Sequence, residues 1–413
     1  MNNEYKIFTK EMKKNYKILV PNMLPIHFKV LKKILKDYGF DIEFLEDDVS
    51  DIIEDGLKYS NNDICYPAMI VIGQFISALK SGKYDTSKTA LLMTQTGGGC
   101  RASNYIHLIR KALENSGFSD VPAIGLSVSG IEKHPGLKFG PSIILKLFYA
   151  VIYGDLIMCL YNKVKPYEIN KGEADTVLEN MIDYLNNNFS NFHYLKVNKI
   201  SKTIVKAFDN VKINKTDKIK VGIVGEIYMK YSRMGNNHLE EFLVNEDCEV
   251  VQSGLMDFMN YCILNSIIDY KLYKKGFIKS KVALIGYKII LKIQRKINKV
   301  IKENSKFEPP TDFEKVRKMA DGYIGYGVKM GEGWLLVANM LELIHSGTNN
   351  IICAEPFGCL PNHIVGRGAI RKIVDKHPNA NIVVIDYDPS QSKINQENRI
   401  KLMLSNARLN IYL

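Results

Sequence analysis

The chain of 413 residues is long enough for two or three domains, since a domain commonly takes roughly 100–200 residues. Hydrophobic residues make up 46% of it and charged residues 24%, which is typical of a soluble globular protein and excludes a disordered one. The net charge of +12 would suit nucleic acid or a membrane surface. Because the lysines are scattered over helical stretches, we expect neither of these partners.

The cysteines and the N-terminus indicate the compartment. Seven cysteines, an odd number, together with a polar start, argue against a secreted disulfide scaffold. The most apolar window, 143–161, contains Lys146 and Asp155 and falls short of the roughly 20 apolar residues of a bilayer span, so it predicts a buried helix pair. We therefore expect a cytoplasmic protein whose thiols are reduced or bound to metal.

Two stretches of alternating strands and helices predict the domains. Residues 1–140 form a first α/β domain with strands at about 17–21, 41–45, 89–94 and 121–128, and residues 141–215 are a helical connecting region. Residues 216–413 form a second α/β domain, with strands at about 220–225, 249–252, 350–354 and 381–386 and a helical insertion at about 255–306. Apolar strands without alternation, separated by helices, are typical of parallel sheets covered on both faces.

Three cysteines lie in loops, where a packed core would not need them. Cys65, Cys100 and Cys359 each stand just before a predicted helix, and the last two also follow a buried strand. Ligands of open parallel sheets bind outside the carboxyl ends of the strands, and a helix N-terminus favours the thiolate. Three converging thiolates predict a soft-metal site, best suited to an iron–sulfur cluster, although no compact Cys-x-x-Cys pair is present.

The other cysteines and the neighbouring loops give further expectations. Cys159, Cys262 and Cys353 lie in apolar elements and are expected to be small buried hydrophobes, whereas Cys248 is left unassigned. The candidate cofactor-binding residues are those whose backbone or charge stands beside the loop cysteines, namely Gly98, Gly99, Arg101 and Gly358. His363 is the candidate catalytic proton carrier, with a structural histidine as the alternative.

Nucleotide-binding motifs are incomplete in this sequence. No phosphate-binding loop is present, and neither Gly225-Glu226 nor the stretch 366–368 completes a dinucleotide fingerprint. The glycine-rich stretch 325–333 precedes a helix and could approach an anionic ligand or a partner, or it could be a plain loop.

At these residues the chain resembles the 2-hydroxyacyl-CoA dehydratase superfamily, with its benzoyl-CoA reductase and double-cubane cluster relatives. The likeness is strongest to the dehydratase-like segment of activase-related proteins. The stretches that carry it are 63–67 with the helix through 74, 95–101, 221–226, 353–363, 386–389 and 395–399. The resemblance implies two Rossmann-like (flavodoxin-like) domains with a cluster at their interface.

The same resemblance implies function. Cys65, Cys100 and Cys359 would hold a 4Fe-4S cluster with one open iron, a double-cubane cluster being less favoured because it needs more cysteines. The chain would be the oxygen-sensitive, electron-accepting component of a homo- or heterodimer that is reduced by a separate ATP-hydrolysing activase. It would act as a reductase or lyase component on a substrate such as an acyl-CoA thioester. The alternatives are a cluster-bearing electron-transfer or scaffold protein without its own substrate, and a zinc-stabilised structural protein.

Overall fold

The structure is a computed structural model that describes residues 5–45, 51–61, 63–94, 99–126, 132 and 134–412, with side chains to residue 409. It confirms the α/β class, because its strands form two four-stranded sheets that are parallel throughout. Gly98 lies outside the described residues, so its predicted role has no structural counterpart here.

The first sheet has the strand order β2-β1-β3-β4. Its strands are β1 (Lys17–Val20), β2 (Asp41–Phe44), β3 (Thr89–Thr94) and β4 (Ala123–Leu126). Its helices are α1 (Lys10–Asn15), α2 (Pro25–Asp37), α3 (Ile52–Tyr59), α4 (Tyr66–Lys80) and α5 (Tyr105–Ser116). Nearly every residue of α4 is buried, and Pro67 occupies its first turn, where a missing backbone N–H costs nothing.

Three helices connect the sheets: α6 (Pro141–Val164), α7 (Glu173–Phe189) and α8 (Val197–Asp209). The predicted helix pair within 143–161 was wrong, because α6 runs through this window without a break. By length and composition α6 could cross a membrane, yet 61% of its apolar window is buried inside the protein. It packs against Phe189 and Tyr194, which makes it a core helix of this structure.

The second sheet has the order β6-β5-β7-β8. Its strands are β5 (Ile219–Gly225), β6 (Cys248–Val251), β7 (Asn350–Pro356) and β8 (Asn381–Tyr387). Its helices are α9 (Ile227–Tyr231), α10 (Leu239–Asn245), α11 (Leu255–Tyr273), α12 (Phe277–Asn304), α13 (Phe313–Met319), α14 (Trp334–His345), α15 (Gly368–Lys376) and α16 (Lys393–Tyr412). The predicted insertion is the hairpin of α11 and α12.

In both sheets the direction in which successive strands are added reverses at equivalent places, between β1 and β3 and between β5 and β7. The carboxyl ends at such a switch point form the crevice in which α/β proteins bind ligands. Here β3 leads toward Cys100, β5 leads into Glu226 and β7 leads into Cys359. Residues of both sheets share one core with α4, and Tyr228 of α9 donates a hydrogen bond to Gln74 of α4 (3.2 Å). The two halves therefore meet along α4.

Candidate functional site

The loops that carry Cys65 and Cys359 are in direct contact. The backbone N–H of Tyr66 donates to the carbonyl oxygen of Phe357 at 3.0 Å. Gly358 has φ of +73°, and a Cβ added there would lie 3.1 Å from the Cα of Cys65. A glycine is thus required at 358 both by its left-handed backbone and by the approach of the Cys65 loop.

The glycine-rich loop 325–333 joins the Cys100 and Cys359 loops. A Cβ added to Gly99 would lie 2.5 Å from the sulfur of Met330, and one added to Gly331 would lie 2.7 Å from the Cγ of Pro361. The stretch therefore packs over the two cysteine loops, and is not a plain surface connection.

Hydrogen-bonding groups approach two of the sulfurs. Tyr105 Oη lies 2.9 Å from Cys65 Sγ, and Asn362 Nδ2 donates to Cys359 Sγ at 3.1 Å. Both sulfurs belong to buried residues, whereas Cys100 is half-buried. Donors of this kind stabilise negative charge on sulfur, in a thiolate or in a metal-bound thiolate.

Two carboxylates share the site with the thiols. Burial, together with the smaller effect of the charge of Glu332, raises the pKa of Glu226 to about 8. Glu332 is buried, and burial raises its pKa as well. Both carboxylates accept backbone N–H groups from the start of α9, Glu226 from Met229 and Glu332 from Ile227, each at 2.9 Å.

Glu226 connects the three thiols electrostatically. Burial is the largest cause of the raised pKa of Cys65, of Cys359 and of Cys100, where the pKa reaches about 11. The charge of Glu226 adds to the increase at all three thiols, and the charge of Cys65 adds to it at Cys100. The three cysteines, from separate parts of the chain, thus all lie near enough to Glu226 for its charge to act on their thiols.

The spacing of the thiols bears on which metal they fit. Among the described residues, one group of three has metal-ligating atoms within 4.8 Å of one another, and it consists of Glu355, His363 and Asp386. The cysteines form no group of this kind in that part of the chain. Thiolates on one zinc ion lie within about 4 Å of one another, given a Zn–S bond of about 2.3 Å. The cysteine sulfurs of the described residues are therefore not grouped as closely as the ligands of one zinc ion would be.

His363 lies one turn after Cys359, in the π-helical turn Asn362–Arg367. Its Nδ1 is 3.1 Å from Glu355 Oε2, so the imidazole faces the carboxylate and not the sulfur. Arg367 forms ion pairs with Glu355 (3.1 Å) and with Asp386 (2.5 Å). Its positive charge offsets the repulsion between these two carboxylates. The trio around His363 is therefore an ion-pair cluster beside the cysteines.

The other cysteines do not join the site. Cys248 begins β6 and so lies at the amino edge of the sheet, opposite the site, while Cys353 is buried within β7 in a packed cluster. Cys159 is half-buried on α6. The expectation that Cys262 is buried was wrong, because α11 turns it toward solvent.

A cavity of about 280 Å³ lies away from the three loop cysteines, and none of the site residues lines it, although Cys159 does. Its walls carry six acidic and three basic side chains. The acidic residues are Asp155, Glu249, Asp257, Glu308, Asp312 and Glu342. Basic side chains are the minority in its walls, so this cavity offers few partners for the phosphates of the nucleotide end of an acyl-CoA.

Sequence reasoning missed Tyr105, Asn362, Glu226 and Glu332 as members of the site. The rule that placed Cys359 also applied to Glu226, which directly follows β5. Glu332 lies in the glycine-rich stretch 325–333, for which the sequence predicts an approach to an anionic ligand or a partner, or a plain loop. Arg101 was predicted beside the site, and its exposed guanidinium lowers the pKa of Cys65.

The fold and the site define a two-domain α/β protein with thiols and carboxylates gathered where its halves meet. No protein-family model matches the chain, and a comparison with curated proteins finds no significant match.

Proposed function

We propose that this chain is an iron–sulfur protein that accepts single electrons, with a 4Fe-4S cluster held by Cys65, Cys100 and Cys359. The observation that carries the proposal is the meeting of the three cysteine loops: the Cys65 loop contacts the Cys359 loop, and the 325–333 loop contacts the loops of Cys100 and Cys359. Thiolates are the ligands that iron–sulfur clusters prefer, and three of them leave one iron open for another ligand.

The charge of the site supports a bound cation. Three thiolates beside Glu226 and Glu332 would gather several negative charges in a poorly solvated place, which is unfavourable without compensation. Arg101 and Lys230 are the cations whose charge acts there, on Cys65 and on Glu332. A metal centre would supply the missing positive charge and would keep the thiols deprotonated despite their raised pKa values.

The protein's own residues would hold and tune this centre. Tyr105 and Asn362 would hydrogen-bond to the ligating sulfurs, which raises the reduction potential of a cluster. The 325–333 loop and the Cys359 loop would limit the access of water. When bound, the cluster would supply one-electron transfer to a substrate.

The resemblance to 2-hydroxyacyl-CoA dehydratases supplies the rest of the proposal. A separate ATP-hydrolysing activase would donate each electron in the cytoplasm, and the substrate would be a small molecule such as an acyl-CoA thioester bound outside the acidic cavity. A second unlike subunit or a second copy would complete the assembly. The alternative is an electron-transfer protein that has no substrate of its own.

Anaerobic purification followed by electron paramagnetic resonance tests this proposal. We expect a brown protein that shows a paramagnetic signal after one-electron reduction and loses its colour in air. A colourless, iron-free protein would contradict the proposal. A reducible cluster without turnover of any acyl-CoA would support the electron-transfer alternative.

A further inference from the structure

The basic charge of the chain is concentrated in one helical hairpin. Between residues 271 and 302 there are ten lysines and one arginine and no acidic residue, so eleven of the twelve net positive charges lie in this segment. All eleven basic side chains are exposed. The sequence had suggested scattered lysines, and the structure places them together at the end of α11 and along α12.

The same helix carries an exposed apolar stripe. Ile278, Val282, Ile285 and Ile289 of α12 are 77%, 65%, 63% and 54% exposed. Their spacing of four, three and four residues puts them on one face of the helix. The opposite face, with Tyr287, Ile290 and Leu291, is buried against the protein. The stripe residues therefore do not contribute to the buried core of this chain.

The tip of the hairpin extends this apolar surface. Leu272, Tyr273 and Phe277 are each 53% exposed, beside Lys274 and Lys275. The hairpin is held in place, since Tyr273 packs close to Gly327 and Lys329 pairs with Asp269. The structure thus presents a fixed helix with exposed aliphatic and aromatic side chains bordered by lysines.

We propose that this hairpin binds the surface of an anionic lipid membrane. An apolar stripe flanked by lysines is the arrangement by which amphipathic helices lie in the headgroup region, and each lysine near an anionic surface adds to the attraction. Protein interfaces are enriched in arginine and depleted in lysine, the reverse of what is found here. Nucleic acid would engage the lysines and leave the stripe uncovered, and a second copy would be repelled by like charge.

Co-sedimentation of the full chain with vesicles tests the proposal. We expect binding to vesicles of phosphatidylcholine with phosphatidylglycerol, and much weaker binding to phosphatidylcholine alone. The combined variant Ile278→Ser, Val282→Ser, Ile285→Ser should partition at least roughly tenfold less. The combined variant Lys279→Gln, Lys281→Gln, Lys288→Gln should partition on the order of a hundredfold less.

Matched controls keep the test specific. The first changes the exposed apolar residues Ile394, Leu402 and Leu409 of α16 to serine. The second changes the exposed Lys199, Lys202 and Lys206 of α8 to glutamine. Both should bind like the wild type, and all variants should unfold at the wild-type temperature.

Several results would overturn the proposal. They are absence of binding to anionic vesicles, equal losses in the controls, self-association through the stripe without vesicle binding, or DNA binding that the stripe variant retains. None of these depends on iron content, so the outcome is separate from that of the proposed function.

Discussion

The two parallel sheets share one strand order but bring different chemistry to the edge where they meet. The first half contributes Cys65 and Cys100 with the hydroxyl of Tyr105. The second half contributes Cys359 together with the carboxylates Glu226 and Glu332. Topology therefore fixes where a site forms, at the switch points, and the residue types placed there decide what it can hold. The pKa values of the thiols in the first half are raised in part by the charge of Glu226 in the second half.

The largest expected effect comes from removing a thiol. Cys65→Ser, Cys100→Ser and Cys359→Ser should each lose most of the visible iron–sulfur absorbance of anaerobically purified protein, because a three-thiolate site cannot spare a ligand. Cys248→Ser, at the opposite edge of its sheet, should keep it. A full cluster in Cys100→Ser would show that Cys100 is not one of its ligands.

The carboxylate of Glu226 in the second half should lower the free energy of unfolding when no metal is bound. Because the pKa of Glu226 is raised from 4.5 to about 8, its ionisation opposes folding as the pH rises above about 4.5. Metal-free Glu226→Gln should therefore be more stable at pH 7 by about 2 kcal/mol, allowing for partial exposure, and the gain should vanish below about pH 4.5. Urea unfolding at several pH values measures this.

The control for that measurement is Glu54→Gln. Glu54 is exposed on α3, so its replacement should change stability by less than about 0.5 kcal/mol. A Glu226→Gln protein that is less stable at pH 7 would mean that the carboxylate is structurally required, against the proposed role of a bound cation.

A pair of glycines tests the contact between the halves. Gly358 and Gly347 both have left-handed backbones, with φ of +73° and +83°, but only Gly358 faces Cys65. Gly347→Ala should cost about 1 kcal/mol for the backbone alone, and Gly358→Ala about 1.5 kcal/mol or more. Equal costs in denaturant unfolding would show that the two cysteine loops do not touch.

The smallest effect concerns the hydroxyl beside Cys65. Tyr105→Phe should cost about 1 kcal/mol and should raise the pKa of Cys65, because the hydrogen bond from Tyr105 lowers it. Alkylation of Cys65 in metal-free protein, followed by mass spectrometry, should become slower. Tyr287→Phe, whose hydroxyl bonds to Glu314 away from the site, should leave that rate unchanged.

More of the fold than of the candidate site could be predicted from the sequence. Apolar strands and helical spacing predicted all eight strands and the α11–α12 insertion, since burial on both faces leaves a clear local pattern. Cys100 and Cys359 could be placed because they follow strands. Glu332 and Tyr105 reach the site only through contacts between distant segments, which no local pattern records. The single helix α6 was missed because Lys146 and Asp155 interrupt its apolar run without interrupting the helix.

The most direct test of the central claim is the iron and acid-labile sulfide content of the anaerobically purified chain. We expect about four of each per chain in the wild type and a large loss of both in Cys100→Ser. Zinc without sulfide, or no metal at all, would contradict it.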